Sequence, residues 1–384
     1  MQRRVMCFGW FHHLPFLKKT GLRPQKSSLK PLKTKNLLMP KELKVGVIGA
    51  TGYTGSELLR ILHGHPNCRI TQVTSESHAG KKLGEVHPFL GPFLNLSLIG
   101  FEDFNQEACD VIFLALPHGV SMEFAKQLQH TGVPCIDFSG DFRLSSAEIY
   151  QDWYQKPHVW PEGIAHACYG LPEWNAERIS SASLIANPGC YPTASLLALL
   201  PFAQVWGDAL NRIIIDAKSG VTGAGVRPSP TTHFPGMYDN FKAYGLGGHR
   251  HTIEIQEQLQ AFAPNLQPLQ FTPHLLPVDR GILATLYLEN LEDWSTEQTA
   301  DFLKKQYQEA PFVHVVDRPP SLKDVRGSNH CLLYVQADAR TRQLLLVSVI
   351  DNLVKGAAGQ AIQNMNLRFG FAQEAGLHTL PLNP

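Results

Sequence analysis

At 384 residues the chain is long enough for two domains with separate cores, and its 43% hydrophobic and 17% charged content is that of an ordinary folded protein. A formal net charge of +1 gives no global electrostatic case for nucleic acid or a membrane surface as a partner. The seven cysteines are scattered without a CxxC pair, which excludes a disulfide framework and a zinc site and points to a reducing compartment, and no run of about 18 apolar residues exists to span a bilayer.

The first forty residues hold nine Lys/Arg and no Asp or Glu. This arm, residues 1–40, is expected to be disordered and non-essential. An organelle-targeting peptide, a mis-chosen start upstream of Met39 and a nucleic-acid tail are the alternatives. Beyond it, KVGVI reads as a buried strand, followed by a glycine turn and a helix over SELLRILHGH. RITQVTSES and DVIFLALPHG read as further strands, VSMEFAKQLQHTG as a helix and PCIDFSGDF as strand-like again. Alternation of strand and helix predicts an α/β domain over 41–189, a Rossmann-type parallel sheet with helices on both faces.

ANPGCYPTAS, residues 186–195, predicts a tight Pro188–Gly189 turn that places Cys190 at the amino end of a helix continuing through ASLLALLPFA. Unpaired N–H groups and the helix dipole there are expected to favour a thiolate. After Cys190 the strand-like runs NRIIIDAKSG, LQFTPHLLPV, ILATLYLEN, HCLLYVQAD and QLLLVSVID follow with few helices between, which predicts a mixed or antiparallel sheet in an α+β domain over 190–351. STEQTADFLKKQYQEA is a helix within it, and NLVKGAAGQAIQNMNLRFGF closes the chain as a long small-residue helix.

Gly49-Ala50-Thr51-Gly52-Tyr53-Thr54-Gly55 lies between a predicted strand and helix, where glycines let the backbone approach a pyrophosphate at the helix amino terminus. Ser75, Ser77, Lys81 and Lys82 beyond the second strand suit the 2′-phosphate of NADP, while Glu76 between them is an acid of the kind that binds an unphosphorylated ribose. In HRHTIEI, read as extended, His249 and His251 face one way and could enter one site. No third ligand cluster makes the pair a metal site. The glycine loop at 216–229, with Lys218 and Arg227, could offer donors to a phosphate, and Arg143 of SGDFRL lies at the predicted carboxyl edge of the sheet.

Taken in order, GATGYTGSEL, SGDFRL, YGLPE, ANPGCYPTA, SGVTGAG, HRHTIEI, PHLLPVDRGIL and DNLVKGAAGQA resemble the N-acetyl-gamma-glutamyl-phosphate reductase family, from residue 43 to the end. VTGAG stands where VSGAG is expected, which keeps the hydroxyl. The resemblance implies the two-domain architecture of semialdehyde and glyceraldehyde-phosphate dehydrogenases, with the C-terminal helix (352–384) returning to the nucleotide domain and Asn352 holding the nicotinamide amide. It further implies NADPH-dependent reduction of an acyl phosphate through a thioester on Cys190, with His251 as acid/base and His249 close behind it. Arg143, Arg227 and Arg250 become candidates for substrate carboxylate or phosphate. A cytoplasmic homodimer or homotetramer without nucleic-acid or membrane partners is expected. The competing readings are a reductase of an aspartyl or carrier-bound aminoadipyl phosphate, a non-catalytic NADP-sensing regulator, and an epimerase, which would need a Tyr-x-x-x-Lys pair just after the nucleotide domain, where none is found.

Overall fold

The computed structural model describes residues 42–230 and 232–383; the basic arm at 1–40 lies outside the described residues. The first half of the chain forms a seven-stranded sheet from β1 (Leu43–Ile48), β2 (Cys68–Thr74), β3 (Leu98–Ile99), β4 (Val111–Leu114), β5 (Cys135–Asp137), β6 (Cys168–Tyr169) and β7 (Leu184–Ala186). Its order is β3-β2-β1-β4-β5-β7-β6 and every ladder is parallel. The order reverses between β1 and β4, and the glycine turn leaves the carboxyl end of β1 at that point, where open α/β sheets bind their ligands. Apolar side chains cover both faces. Val45, Val47 and Phe113 pack with Leu58 and Leu62 on one side, and Ile48, Ile112 and Leu114 pack with Met122 and Tyr150 on the other.

The second sheet contains β8 (Ile214–Ser219), β9 (Lys242–Ala243), β10 (Gln270–Leu275), β11 (Ile282–Glu289), β12 (Val313–Val315), β13 (Cys331–Asp338) and β14 (Gln343–Ile350). It runs β12-β13-β14-β11-β8-β10-β9, antiparallel except where β8 meets β10 and β12 meets β13. Along β11 and β13 buried and half-buried residues alternate, so only one face is fully covered. The covering element is the helix Cys190–Trp206, buried on nearly every side as its apolar sequence requires, with Leu196, Leu199 and Phe202 set among Ile215, Leu286 and Leu346. Cys190 is therefore the first residue of the central helix of this core.

The end of the chain is not one long helix. A π-helical turn spans Val354–Ala358, the α-helix runs only from Gly359 to Phe369, and Gly370 stops it in the left-handed conformation at φ 71°. Ala361, Ile362 and Met365 of this helix lie in the core of the first sheet. Lys355 in the π turn is fully buried and donates to Glu173 Oε1 at 2.6 Å and Gln363 Oε1 at 2.8 Å. Removing one partner of such a pair leaves an uncompensated buried charge. Lys355→Met is therefore expected to cost about 3–5 kcal/mol, read as a fall in the urea midpoint at unchanged slope.

Candidate active site

Gly49 has φ +89°, and a side chain there would strike the Ala115 carbonyl oxygen, at 2.4 Å from its Cβ. Gly55 is equally constrained, because its Cβ would come within 2.6 Å of Gly49 O. These two glycines make the turn. Gly52, which caps the helix Tyr53–His63, differs: a Cβ there would meet nothing within 4 Å. Open space at a helix amino terminus is what a pyrophosphate needs, so the residues present fit a dinucleotide. Thr51 and Ser75 share a hydroxyl hydrogen bond of 3.1 Å beside the turn, and Tyr53 is exposed. Ser77, Lys81 and Lys82 are exposed. Glu76 is turned aside, its carboxylate accepting from Phe101 N–H at 2.6 Å.

The same helix carries a clasp to the second half of the chain. Glu57, buried, receives both guanidinium nitrogens of Arg280 at 2.9 Å and that of Arg60 at 2.8 Å. Burial alone would raise the Glu57 carboxyl, but its hydrogen bonds to Arg280 and Arg60 and their charges win and bring it down to about 2. Because the folded value lies below the unfolded one of 4.5, the clasp stabilises fully above that pH and is lost as pH falls towards 2. Glu57→Gln is expected to lower stability at pH 7 by roughly 1–3 kcal/mol and to flatten the pH dependence in that acid window, measured by denaturant midpoints from pH 7 to pH 2.

Cys190 follows the turn at Asn187–Gly189 as predicted and heads the 190–206 helix, with the N–H groups of Tyr191 and of Cys190 itself facing the sulfur. The expected thiolate is not the resting state. Burial pushes the Cys190 thiol up to about 11, outweighing the N–H groups and Arg143, which pull it down. A Cβ on Gly356 of the π turn would lie 2.8 Å from Cys190 Cβ, so the terminal segment walls the cysteine on one side.

The HRH segment is not extended. Arg250 occupies the N-cap position and His251 begins the helix His251–Gln260, while His249 folds back from the preceding glycine turn. The two rings meet all the same, their centroids 4.8 Å apart, and His249 Nδ1 accepts from the His251 N–H at 3.2 Å. His251 leans on the cysteine's turn: a Cβ on Gly189 would be 2.5 Å from its Nε2. Burial, and then the neighbouring His249, Arg143, His118 and Arg250, hold His251 well below the ordinary histidine range, and its Nδ1 is buried without a hydrogen-bond partner. His251 is thus a neutral imidazole at neutral pH. His249 is lowered to about 4 by burial and by Arg250.

The three arginines separate. Arg143 is buried and engaged with protein acceptors on all three nitrogens: Nε donates to Asn187 O at 2.8 Å, Nη1 to Glu254 Oε2 at 3.2 Å and Nη2 to Phe138 O at 2.6 Å. It braces the cysteine's turn. Arg250 is exposed over the Tyr154 ring, and Arg227 is exposed in the loop after Gly225. Lys218 is paired with Asp216 at 2.7 Å. Asn352 accepts from Gly281 N–H at 2.7 Å and donates to Thr222 Oγ1 at 3.0 Å, bracing the 220–224 loop. Sequence reasoning missed Glu254 and Tyr169, whose signal was the spacing of three between His251 and Glu254 on what is a helix. Among the described residues no group of three or more His, Cys, Asp and Glu side chains could hold a metal ion, and no helix is long and apolar enough to cross a membrane.

A glycine turn suited to a dinucleotide after β1, together with a cysteine-headed helix packed on a mixed second sheet, defines an oxidoreductase of the semialdehyde dehydrogenase class. The family described as semialdehyde dehydrogenase, NAD binding domain, matches residues 44–182, and that described as semialdehyde dehydrogenase, dimerisation domain, matches residues 190–352. The chain belongs to the N-acetyl-gamma-glutamyl-phosphate reductase family. It is 46% identical to the protein of that name from Symbiobacterium thermophilum over 342 residues, 87% of this chain and 97% of that one. With its counterpart in Geotalea daltonii it shares 46% identity over 346 residues, 89% of this chain and all of that one. Among solved structures, aspartate semialdehyde dehydrogenase II of Vibrio cholerae, complexed with ASA, has the same fold with a TM-score of 0.65 at 20% identity, covering 85% of this chain and 98% of that one. The Candida albicans aspartate semialdehyde dehydrogenase with NADP matches at a TM-score of 0.63 and 16% identity, covering 87% and 99%.

Proposed function

We propose that the chain reduces N-acetyl-L-glutamyl 5-phosphate to N-acetyl-L-glutamate 5-semialdehyde and phosphate with NADPH, through a thioester on Cys190, as a step of arginine biosynthesis. The observation that carries this reading is the seating of His251 against Gly189, directly beside Cys190, in a chain of this family. The resting thiol is protonated, so reaction begins when His251, held neutral, takes the proton as the sulfur attacks the acyl carbon. The N–H groups of Cys190 and Tyr191 meet the developing oxyanion, and its collapse expels phosphate and leaves the thioester. A reduced dinucleotide held at the Gly49–Gly55 turn would supply the hydride that reduces the acyl carbon. Collapse of the resulting thiohemiacetal frees the aldehyde and returns the sulfur, which takes back the proton from His251.

Preference for NADP over NAD is supported by Ser75, Ser77, Lys81 and Lys82 beyond β2 and by the diversion of Glu76 to Phe101 N–H. Exposed Arg250 and Arg227 remain available for the substrate's carboxylate and phosphate. A homo-oligomer built through the dimerisation domain, working in the cytoplasm, completes the reading. The test is reduction of NADP by N-acetylglutamate semialdehyde. Activity that needs phosphate and prefers NADP is expected, whereas a rate independent of phosphate, or a preference for aspartate semialdehyde, overturns it.

A further inference from the structure

We propose that Glu254 is a positioning residue that clamps the nucleophile's turn, fixing where Cys190 is presented beside His251; this rests on the reductase reading. Glu254 is fully buried, and its Oε1 accepts from the Gly189 N–H at 2.8 Å and from the Tyr169 hydroxyl at 2.9 Å. Its other oxygen accepts from Arg143 Nη1 at 3.2 Å, while Arg143 Nε holds the Asn187 carbonyl. The carboxylate and the guanidinium thus grip the turn from both ends, one by an N–H and the other by a C=O. Glu254 stands three residues after His251 on one helix, so a single rigid element delivers both the base and the clamp. The clamp has a chemical consequence. It occupies the Gly189 N–H, which leaves the N–H groups of Cys190 and Tyr191 as the donors for an oxyanion.

The charged and titratable groups around Cys190 are Arg143 and Glu254 from its supporting elements, Tyr191 and Tyr244 from its own helix and the adjoining loop, and His251 with His249 above. Glu254 opposes ionisation of the thiol and Arg143 favours it. Loss of the carboxylate charge therefore leaves Arg143 uncompensated and moves the thiol towards ionisation, although turnover falls. A residue that merely held the fold together would not combine these two effects.

The experiment uses the full chain with Glu254→Gln, Glu254→Asp and Tyr169→Phe. For Glu254→Gln a misplaced nucleophile predicts a kcat about a hundredfold lower with KM for semialdehyde and NADP within about threefold, and Glu254→Asp recovers about tenfold of that loss. Iodoacetamide, which needs no oriented acyl carbon, should alkylate Cys190 in Glu254→Gln at an unchanged high-pH limiting rate, with the midpoint of the pH profile moved downward. Wild-type kcat in Glu254→Gln overturns the clamp, as does a fall of kcat and of the limiting alkylation rate in parallel. If Glu254→Gln does not fold, Glu254→Asp and Tyr169→Phe carry the test, and wild-type kcat in both overturns it. If the wild-type chain itself shows no reductase activity, the reading of function fails separately, and an unmoved alkylation midpoint in Glu254→Gln still rejects the clamp while a downward shift supports it.

Discussion

Cys190→Ala is expected to abolish reduction while leaving NADP binding measurable by fluorescence quenching or calorimetry. The cofactor turn at Gly49–Gly55 and the cysteine belong to different elements, so removing a sulfur at the head of the 190–206 helix does not disturb the pyrophosphate cradle. Without the nucleophile no thioester forms, and hydride has no activated carbonyl of the right kind to attack. Cys190→Ser is expected to be almost as inactive, since an alkoxide is far harder to form than a thiolate. Iodoacetamide should inactivate the wild-type enzyme through Cys190, increasingly as pH rises into the alkaline range because burial holds the thiol near 11. Cys68 is held still higher, at about 12, by burial and by Glu42, and Cys168 is buried whereas Cys190 is half-buried, so both should react more slowly. Modification mainly at Cys68 or Cys168, with activity lost in step, would transfer the role away from Cys190.

The second large effect is that of His251→Asn, expected to lower kcat by about two to four powers of ten while KM changes little. His251 and Cys190 do not rest as an ion pair, because burial, and then the neighbouring His249, Arg143, His118 and Arg250, hold His251 neutral, and burial holds the thiol protonated. The alkylation profile of Cys190 should therefore hardly move in His251→Asn, in contrast to the shift that a preformed thiolate–imidazolium pair would give. Activity should fail on the acid side only as pH drops through the depressed value of His251, since the base is lost on protonation. His249, which caps the His251 N–H and packs against Tyr191 and Tyr244, should show the other pattern, a raised KM with a modest loss of kcat in His249→Asn. A large kcat defect in His249→Asn with none in His251→Asn would exchange their roles.

The first sheet was readable because strands buried on both faces are continuous apolar runs, and because the glycine pattern between strand and helix is local, although the close approaches that require glycine at 49 and 55 appear only in the structure. The short strands at 168–169 and 184–186 carry too few residues for a pattern. HRHTIEI was misread for a definite reason. The helix starting at His251 has no Ser, Thr, Asp or Asn at its N-cap and follows a run of glycines, so neither of the usual start signals marks it. Arg143 is recognisable as a residue near the site, but its protein partner is not, because Glu254, the carboxylate it meets, lies 111 residues away. The thiol shows the same limit. Its position at a helix head is local and was legible, whereas its burial, with Gly356 walling one side, is tertiary and decides the protonation state.

The claim at the centre of this account is a covalent acyl group on Cys190, and a phosphate-free reaction run in reverse tests it most directly. N-acetylglutamate semialdehyde and NADP are mixed with enzyme in the absence of phosphate, NADPH formation is followed by stopped flow, and the protein is digested for mass spectrometry. Attack of Cys190 on the aldehyde and hydride loss then leave a thioester that no phosphate can release. A burst of about one NADPH per subunit followed by arrest is expected, with an N-acetylglutamyl mass on the Cys190 peptide and renewed turnover once phosphate is added. Continued turnover without phosphate and no acyl mass on that peptide, or an undiminished burst in Cys190→Ala, would contradict the account.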